Sequence, residues 1–170
     1  MMTIRTEVPQ DHATVESLIT QAFAGAEHSD GNEAGLVKTL RRSRAFIPAL
    51  SLVAEVDGNV VGHVLFSKIG IGQGEGVALA PLAVLPRFQR QGIGSALIAR
   101  GHVVAREMGF CVSVVLGSPK YYPRHGYVPA TKLGILAPFE GMDEYYLACV
   151  LNADVPVPQG TVSYDPAFGL

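Results

Sequence analysis

The most chemically suggestive spacing in the chain is Gln89-Arg90-Gln91-Gly92-Ile93-Gly94. Glycines let an anion approach backbone N–H groups without a Cβ in the way, and a helix N-terminus just beyond adds orphan donors and partial positive charge. Charge agrees: Gly76 to Arg106 holds no Asp or Glu although the chain has 15, while Arg87, Arg90, Arg100 and Arg106 fall inside it. A diphosphate is the ligand such a stretch suits. The same glycines also serve a plain tight turn with close helix packing, and spacing alone leaves both readings open. Two named phosphate loops are excluded. No Lys follows, as Gly-x-x-x-x-Gly-Lys-Ser/Thr requires, and neither this turn nor the Gly70–Gly76 run is the Gly-x-Gly-x-x-Gly that opens a dinucleotide-binding helix.

Other reactive side chains are scattered. Cys111 and Cys149 lie in apolar segments and outside any Cys-x-x-Cys pair, which supports no zinc site or disulfide and reads as buried free thiols. Tyr121, Tyr122 and Tyr127 form a small aromatic cluster, and His125 beside Gly126 reads as structural. His28, Asp30 and Glu33 occupy a polar loop, and His63 falls in an apolar strand pattern. The basic run at Arg41, Arg42 and Arg44 complements the dipole of a helix C-terminus.

The elements that would position the glycine turn are legible around it. Val77 to Leu85 is a continuous apolar run, the mark of a strand covered on both faces. Ile93, Ala96, Leu97, Gly101, Val104 and Met108 keep helical spacing, with Gly109 as the stop signal. Cys111 to Leu116 is a second buried strand. Residues 77–116 therefore read strand, glycine turn, helix, parallel strand. Upstream, Ile4 to Val8 reads as a strand, and Val15, Leu18, Ile19, Ala22 and Phe23 mark an amphipathic helix. A shorter helix carries Leu36, Val37 and Leu40, and Asp57-Gly58-Asn59 turns a hairpin between 52–56 and 60–66. Gly70 to Gly76 reads as a glycine-rich connection. Leu133 to Leu136 and Tyr145 to Leu151 look like two strands, and 160–170 like a polar tail.

The 170 residues, 48% hydrophobic and 16% charged, suit one folded domain over 1–170. A net charge of -2 gives no basic field for nucleic acid or anionic membrane. No apolar run approaches the roughly 20 residues of a bilayer span, and the first residues lack a signal-peptide core, so a cytoplasmic location is expected.

Leu82 to Ile98 as a whole resembles the acyl-CoA motif of the GNAT superfamily of N-acetyltransferases, with Gln89, Gly92 and Gly94 meeting its Gln/Arg-x-x-Gly-x-Gly/Ala pattern. Downstream, Tyr122-Pro123-Arg124-His125-Gly126-Tyr127 is similar to its Tyr-x-x-x-Gly-Phe/Tyr element. Gly117 to Tyr122 and the closing Tyr164 to Gly169 resemble the YhbS-type branch of predicted acetyltransferases. The resemblance implies an α/β (α+β) fold: a mixed, mostly antiparallel sheet with one splayed parallel pair and flanking helices. It implies that the backbone of Leu82, Ala83 and Val84 pairs with pantetheine. Amides of Gln89, Arg90, Gln91, Gly92, Ile93, Gly94 and Ser95 would hold the diphosphate, with Ser118 and Tyr121 adding contacts. The stretch before the tyrosines holds Pro119 and no Asn, so the pantetheine contact an Asn usually makes is either missing or replaced by Ser118.

The implied reaction moves an acetyl group from acetyl-CoA to a primary amine of a small molecule or peptide in a ternary complex, without a metal. The amine must be neutral to attack, although a free alkylammonium has a pKa near 10.4. By carry-over Tyr122 is the acid for the leaving thiolate, with Tyr121 as the fallback, and the Val84 N–H is the oxyanion donor. Glu75, His28, Glu33 and water are the candidate bases. The alternative is a catalytically silent acyl-CoA sensor or interaction protein. Polyamines, aminoglycosides, amino acids and protein amines remain open as acceptors, as does a homodimer through the apolar C-terminal strands.

Overall fold

The computed structural model of the protein describes residues 1–26 and 29–170. Its strands are β1 (Met2–Thr6), β2 (Ser51–Val56), β3 (Asn59–Ile71), β4 (Gly74–Val84), β5 (Val112–Leu116), β6 (Val128–Pro129), β7 (Ile135–Leu136), β8 (Tyr146–Val150) and β9 (Gly160–Ser163). The helices are α1 (His12–Phe23), α2 (Glu33–Arg41) and α3 (Ile93–Glu107). The main sheet runs β1-β2-β3-β4-β5-β8-β6, and every neighbouring pair along it is antiparallel except β4 with β5. This is the mixed, mostly antiparallel sheet that the resemblance implies. Among the described residues no helix is long and apolar enough to cross a membrane.

Local chemistry accounts for the joints. Asp57 and Gly58 both take positive φ, which the two-residue reversal between β2 and β3 needs. Val15, Leu18 and Ile19 of α1 join Val37 and Leu40 of α2 in one apolar layer against Val53, Leu65 and Ala83. On the other face α3 buries Ile93, Leu97, Ile98 and Ala105, while Met108 stands exposed rather than inside. Gly101 is obligatory there, since a Cβ on it would run into the Phe66 ring.

The first strand is Met2–Thr6 rather than Ile4 to Val8, only Ile135–Leu136 of Leu133 to Leu136 is strand, and β6 is unanticipated. Two further departures concern the β3/β4 hairpin and the tail. Gly70–Gly76 is strand almost throughout: β3 and β4 run into it and leave only Gly72-Gln73 as the reversal. The polar tail holds β9, which pairs with Gly70 and Ile71 of β3 and, in parallel, with β7. Unpaired strand-edge groups of β3 find partners there, and Val162 is buried as a result.

The sheet opens at β4. Val64 faces Leu82 and Phe66 faces Leu79, so the single residue Leu65 lies opposite both Ala80 and Pro81. Such a bulge bends and twists the strand that carries the extra residue, and Pro81 has no N–H to offer a ladder. Pairing with β5 is confined to Val77 with Ser113 and Ala78 with Val114. Past Ala78 the two parallel strands diverge, and the edge of β4 from Leu82 to Val84 is left open.

Candidate functional site

The bare edge of β4 supplies the first wall of a cleft of about 650 Å³ lined by Leu82, Val84, Phe88, Gln89, Arg90, Gly92, Ile93, Gly94, Ser95, Tyr121 and Arg124. Strand alternation decides which backbone groups face it. Leu85 N–H donates to Val61 O at 2.9 Å, so Ala83 also turns its N–H and C=O to β3, while Leu82 and Val84 turn theirs outward. The Gln89 side chain confirms this by donating to Val84 O at 3.0 Å from the open side. Ala83 is accordingly absent from the lining, its methyl buried under α1 and α2.

The second wall is the glycine turn. Arg90 and Gly92 adopt positive φ values of 62° and 85°, which fold successive N–H groups toward one concavity. The first helical bond is Ala96 N–H to Gly92 O at 3.0 Å, and the N–H groups from Arg90 to Ser95 donate to no acceptor among the described residues. Apart from its chain neighbours, no atom of the described residues lies within 4 Å of a Cβ placed on Gly92, so the turn has space before it. Orphan donors, a helix N-terminus and a lining with no carboxylate among the described residues together form an anion site, and the bare Leu82–Val84 edge beside it can pair with an extended amide chain. A pantetheine diphosphate has both parts. Gln91 turns its amide back to Arg87 O at 3.2 Å and is not part of the lining.

The third wall comes from the segment between β5 and β6. The Tyr121 hydroxyl rests on Gly94, 2.9 Å from where a Cβ would be. Tyr122 stands behind it, edge-on at 5.0 Å, its ring against Gly117 at the end of β5, where the strands diverge. Burial, with a smaller contribution from Tyr121, pushes its phenol pKa up, so it stays protonated and a donor; its hydroxyl has no hydrogen-bond partner among the described residues. Tyr127 anchors this segment: its hydroxyl lies 2.8 Å from Ser113 Oγ and 2.9 Å from His102 Nε2. Burial lowers the His102 pKa to about 4, so the imidazole is neutral. Ser118 caps the turn from within, accepting from Lys120 and Tyr121 N–H, and does not reach the cleft lining.

The candidate bases are not gathered here. Glu75 lies on the paired side of the divergence, about 23 Å along β4 from Leu82 at strand rise, and is ion-paired with Lys68 at 2.9 Å. It is exposed as expected, but on a strand rather than a loop. Glu33 accepts from Ser29 Oγ at the start of α2, and Asp30 from Asn32 N–H. His28 lies outside the described residues. His63 is wholly buried against Ser51 and Glu7, and His125 packs on Tyr121. Sequence reasoning missed Phe88 and Arg124; Arg124 carried a signal only in being a basic residue inside the tyrosine motif.

Comparison with known proteins gives one family. Residues 15–127 match the sequence model of the Acetyltransferase (GNAT) family. YjhQ of Escherichia coli K12, described as an uncharacterized N-acetyltransferase, is 39% identical over 145 residues, covering 82% of this chain and 76% of YjhQ. A GNAT family acetyltransferase from Brucella melitensis, solved in complex with acetyl-CoA, superposes with a TM-score of 0.82 at 36% identity, covering 99% of this chain and 98% of that one. YhbS from Escherichia coli, solved in complex with CoA, gives 0.89 at 29% identity over 99% and 92% of the two chains.

Proposed function

The chain belongs to the GNAT acetyltransferase family as an acyl-CoA-dependent N-acetyltransferase, and from that premise we propose that it acetylates a primary amine by direct attack within a ternary complex. The observation that carries this reading is the run of unpartnered N–H groups from Arg90 to Ser95 beside the open edge of β4. Acetyl-CoA is the cosubstrate: its diphosphate meets those donors, and its pantetheine amides pair with the outward Val84 N–H and Leu82 C=O. This lays the thioester along the divergence of β4 and β5, toward Gly117, against which the Tyr122 ring packs behind Tyr121, outside the cleft lining itself.

The neutral amine attacks the thioester carbon, forming the C–N bond and moving an electron pair onto oxygen. Leu82 N–H, the outward donor of the edge that lies nearer the divergence, stabilises that oxyanion, while Val84 N–H, next to the glycine turn, serves the pantetheine arm. As the C–S bond breaks, the Tyr122 hydroxyl donates a hydrogen bond to the departing sulfur; the proton lost by the amine passes to water, and the thiolate takes up a proton from water. The products are the N-acetylated amine and free CoA thiol. Water fits the role of base better than Glu75, which is engaged by Lys68 away from the cleft. Cys149 is no candidate for an acetyl-enzyme nucleophile, because burial raises its thiol pKa to about 11.

Initial rates of thiol release, with acetyl-CoA varied against a primary amine found by screening, test the reaction order. Intersecting double-reciprocal lines are expected. Parallel lines, or an acetylated enzyme isolated before amine is added, would overturn direct attack.

A further inference from the structure

Arg124 is a cation placed in the cleft with no anion among the described residues to answer it. It enters from the segment between β5 and β6, whereas the donors of the glycine turn and Arg90 enter from the start of α3. No acidic side chain lines the cleft, and Arg124 makes no ion pair among the described residues. An exposed arginine usually wanders, and its long side chain loses rotamer entropy when fixed. Here the guanidinium is held over the Tyr121 ring, 5.3 Å from its centroid, and the Tyr121 hydroxyl in turn rests on Gly94. The planar fork is thus oriented in advance of any ligand, beside the same orphan N–H groups that await an anion.

Resting on the acyl-CoA reading above, we propose that Arg124 is a binding residue for a phosphate of the CoA nucleotide, with Tyr121 as the platform that preorganises it. A guanidinium presents two parallel N–H donors that match phosphate oxygens, which a wandering lysine would not. Two phosphates of one ligand share this chemistry, the diphosphate and the 3′-phosphate of the ribose, and ligand truncation separates them.

The experiment is calorimetric titration of CoA, dephospho-CoA and pantetheine into the wild-type chain, Arg124→Gln and Arg124→Lys. Loss of a charged, preorientated contact is expected to raise the Kd for CoA by about tenfold in Arg124→Gln. Arg124→Lys recovers only part of it, and neither change alters the unfolding midpoint of the free protein. If the partner is the 3′-phosphate, the deficit disappears with dephospho-CoA. If it is the diphosphate, the deficit persists with dephospho-CoA and disappears with pantetheine. Arg124→Gln binding CoA within twofold of a wild type that itself binds would overturn the assignment and leave the cleft reading intact. A wild-type chain that binds no CoA would overturn both.

Discussion

Arginine is used in opposite ways on the α1/α2 side of the sheet and in the cleft. Arg41 reaches Glu7 at 2.6 Å and Glu16 at 2.9 Å, with its side chain only 9% exposed. Arg5 joins Asp11 at 2.7 Å and Glu55 at 2.6 Å. Ser51 and His63 complete that first cluster, where Glu7 Oε1 accepts from Ser51 Oγ. In the cleft, Arg90 and Arg124 meet no acid among the described residues, and backbone donors from Arg90 to Ser95 go unanswered by any of them. One cluster neutralises itself and serves the fold; the other holds positive potential in reserve for a ligand. A basic residue points to a site only when the structure withholds its counter-charge. The Arg41, Arg42 and Arg44 run looked at least as conspicuous in sequence, yet Arg41 is committed to Glu7 and Glu16.

Breaking the self-neutralised cluster should therefore cost stability and spare binding. Arg41→Ala strands the buried Glu7 carboxylate, so denaturant unfolding should show a loss of about 3–5 kcal/mol. The stabilisation by acetyl-CoA should survive in the variant under conditions where it is folded.

Acid should attack the same cluster next. Burial drives the His63 pKa down to about 4 from 6.5. The unfolded chain therefore binds a proton that the folded one refuses, and stability falls as pH drops from 6.5 toward 4, by at most about 3 kcal/mol. Glu7 works in the same direction. Burial is the largest influence and raises its pKa, but Arg41, His63 and Ser51 together outweigh it and hold the carboxyl below the ordinary value, so its contribution is lost as pH falls through the carboxylate range. Unfolding midpoints measured across that window should decline, and His63→Gln should flatten the decline.

Within the cleft, chemistry should separate from binding. Tyr122→Phe keeps the ring against Gly117 and removes the donor, so kcat should drop about a hundredfold with the KM for acetyl-CoA little changed. A variant of undiminished kcat would remove Tyr122 from the reaction. The smallest effect belongs to Glu75→Gln. It dissolves an exposed ion pair with Lys68, so turnover should stay within about twofold of wild type.

Much of the cleft was legible because its signals are local. The turn Gln89–Gly94, the helix behind it and the strand before it lie within a few residues of one another, and glycine at positive φ is a property of the residue itself. What escaped was set by alternation and by distant chain. Ala83 sits between Leu82 and Val84 in sequence, yet the period of two turns its backbone to β3. Glu75 is near the edge in sequence, but a strand converts seven residues into about 23 Å. Arg124 and Phe88 reach the cleft only once their segments fold against α3 and β4. The β9 strand was hidden because it completes the sheet at an open edge of β3 rather than through an apolar pattern of its own.

The central claim is that the glycine turn holds the cosubstrate. Thermal unfolding with and without acetyl-CoA, on the wild type and Gly92→Asp, tests it most directly. At a hundredfold excess over Kd, linkage adds about 2.7 kcal/mol, which for a chain of this size raises the midpoint by about 5–10 °C. The account predicts that rise in the wild type and its loss in Gly92→Asp, where a carboxylate enters the anion site. An unshifted wild type, or an equal rise in both proteins, would contradict it.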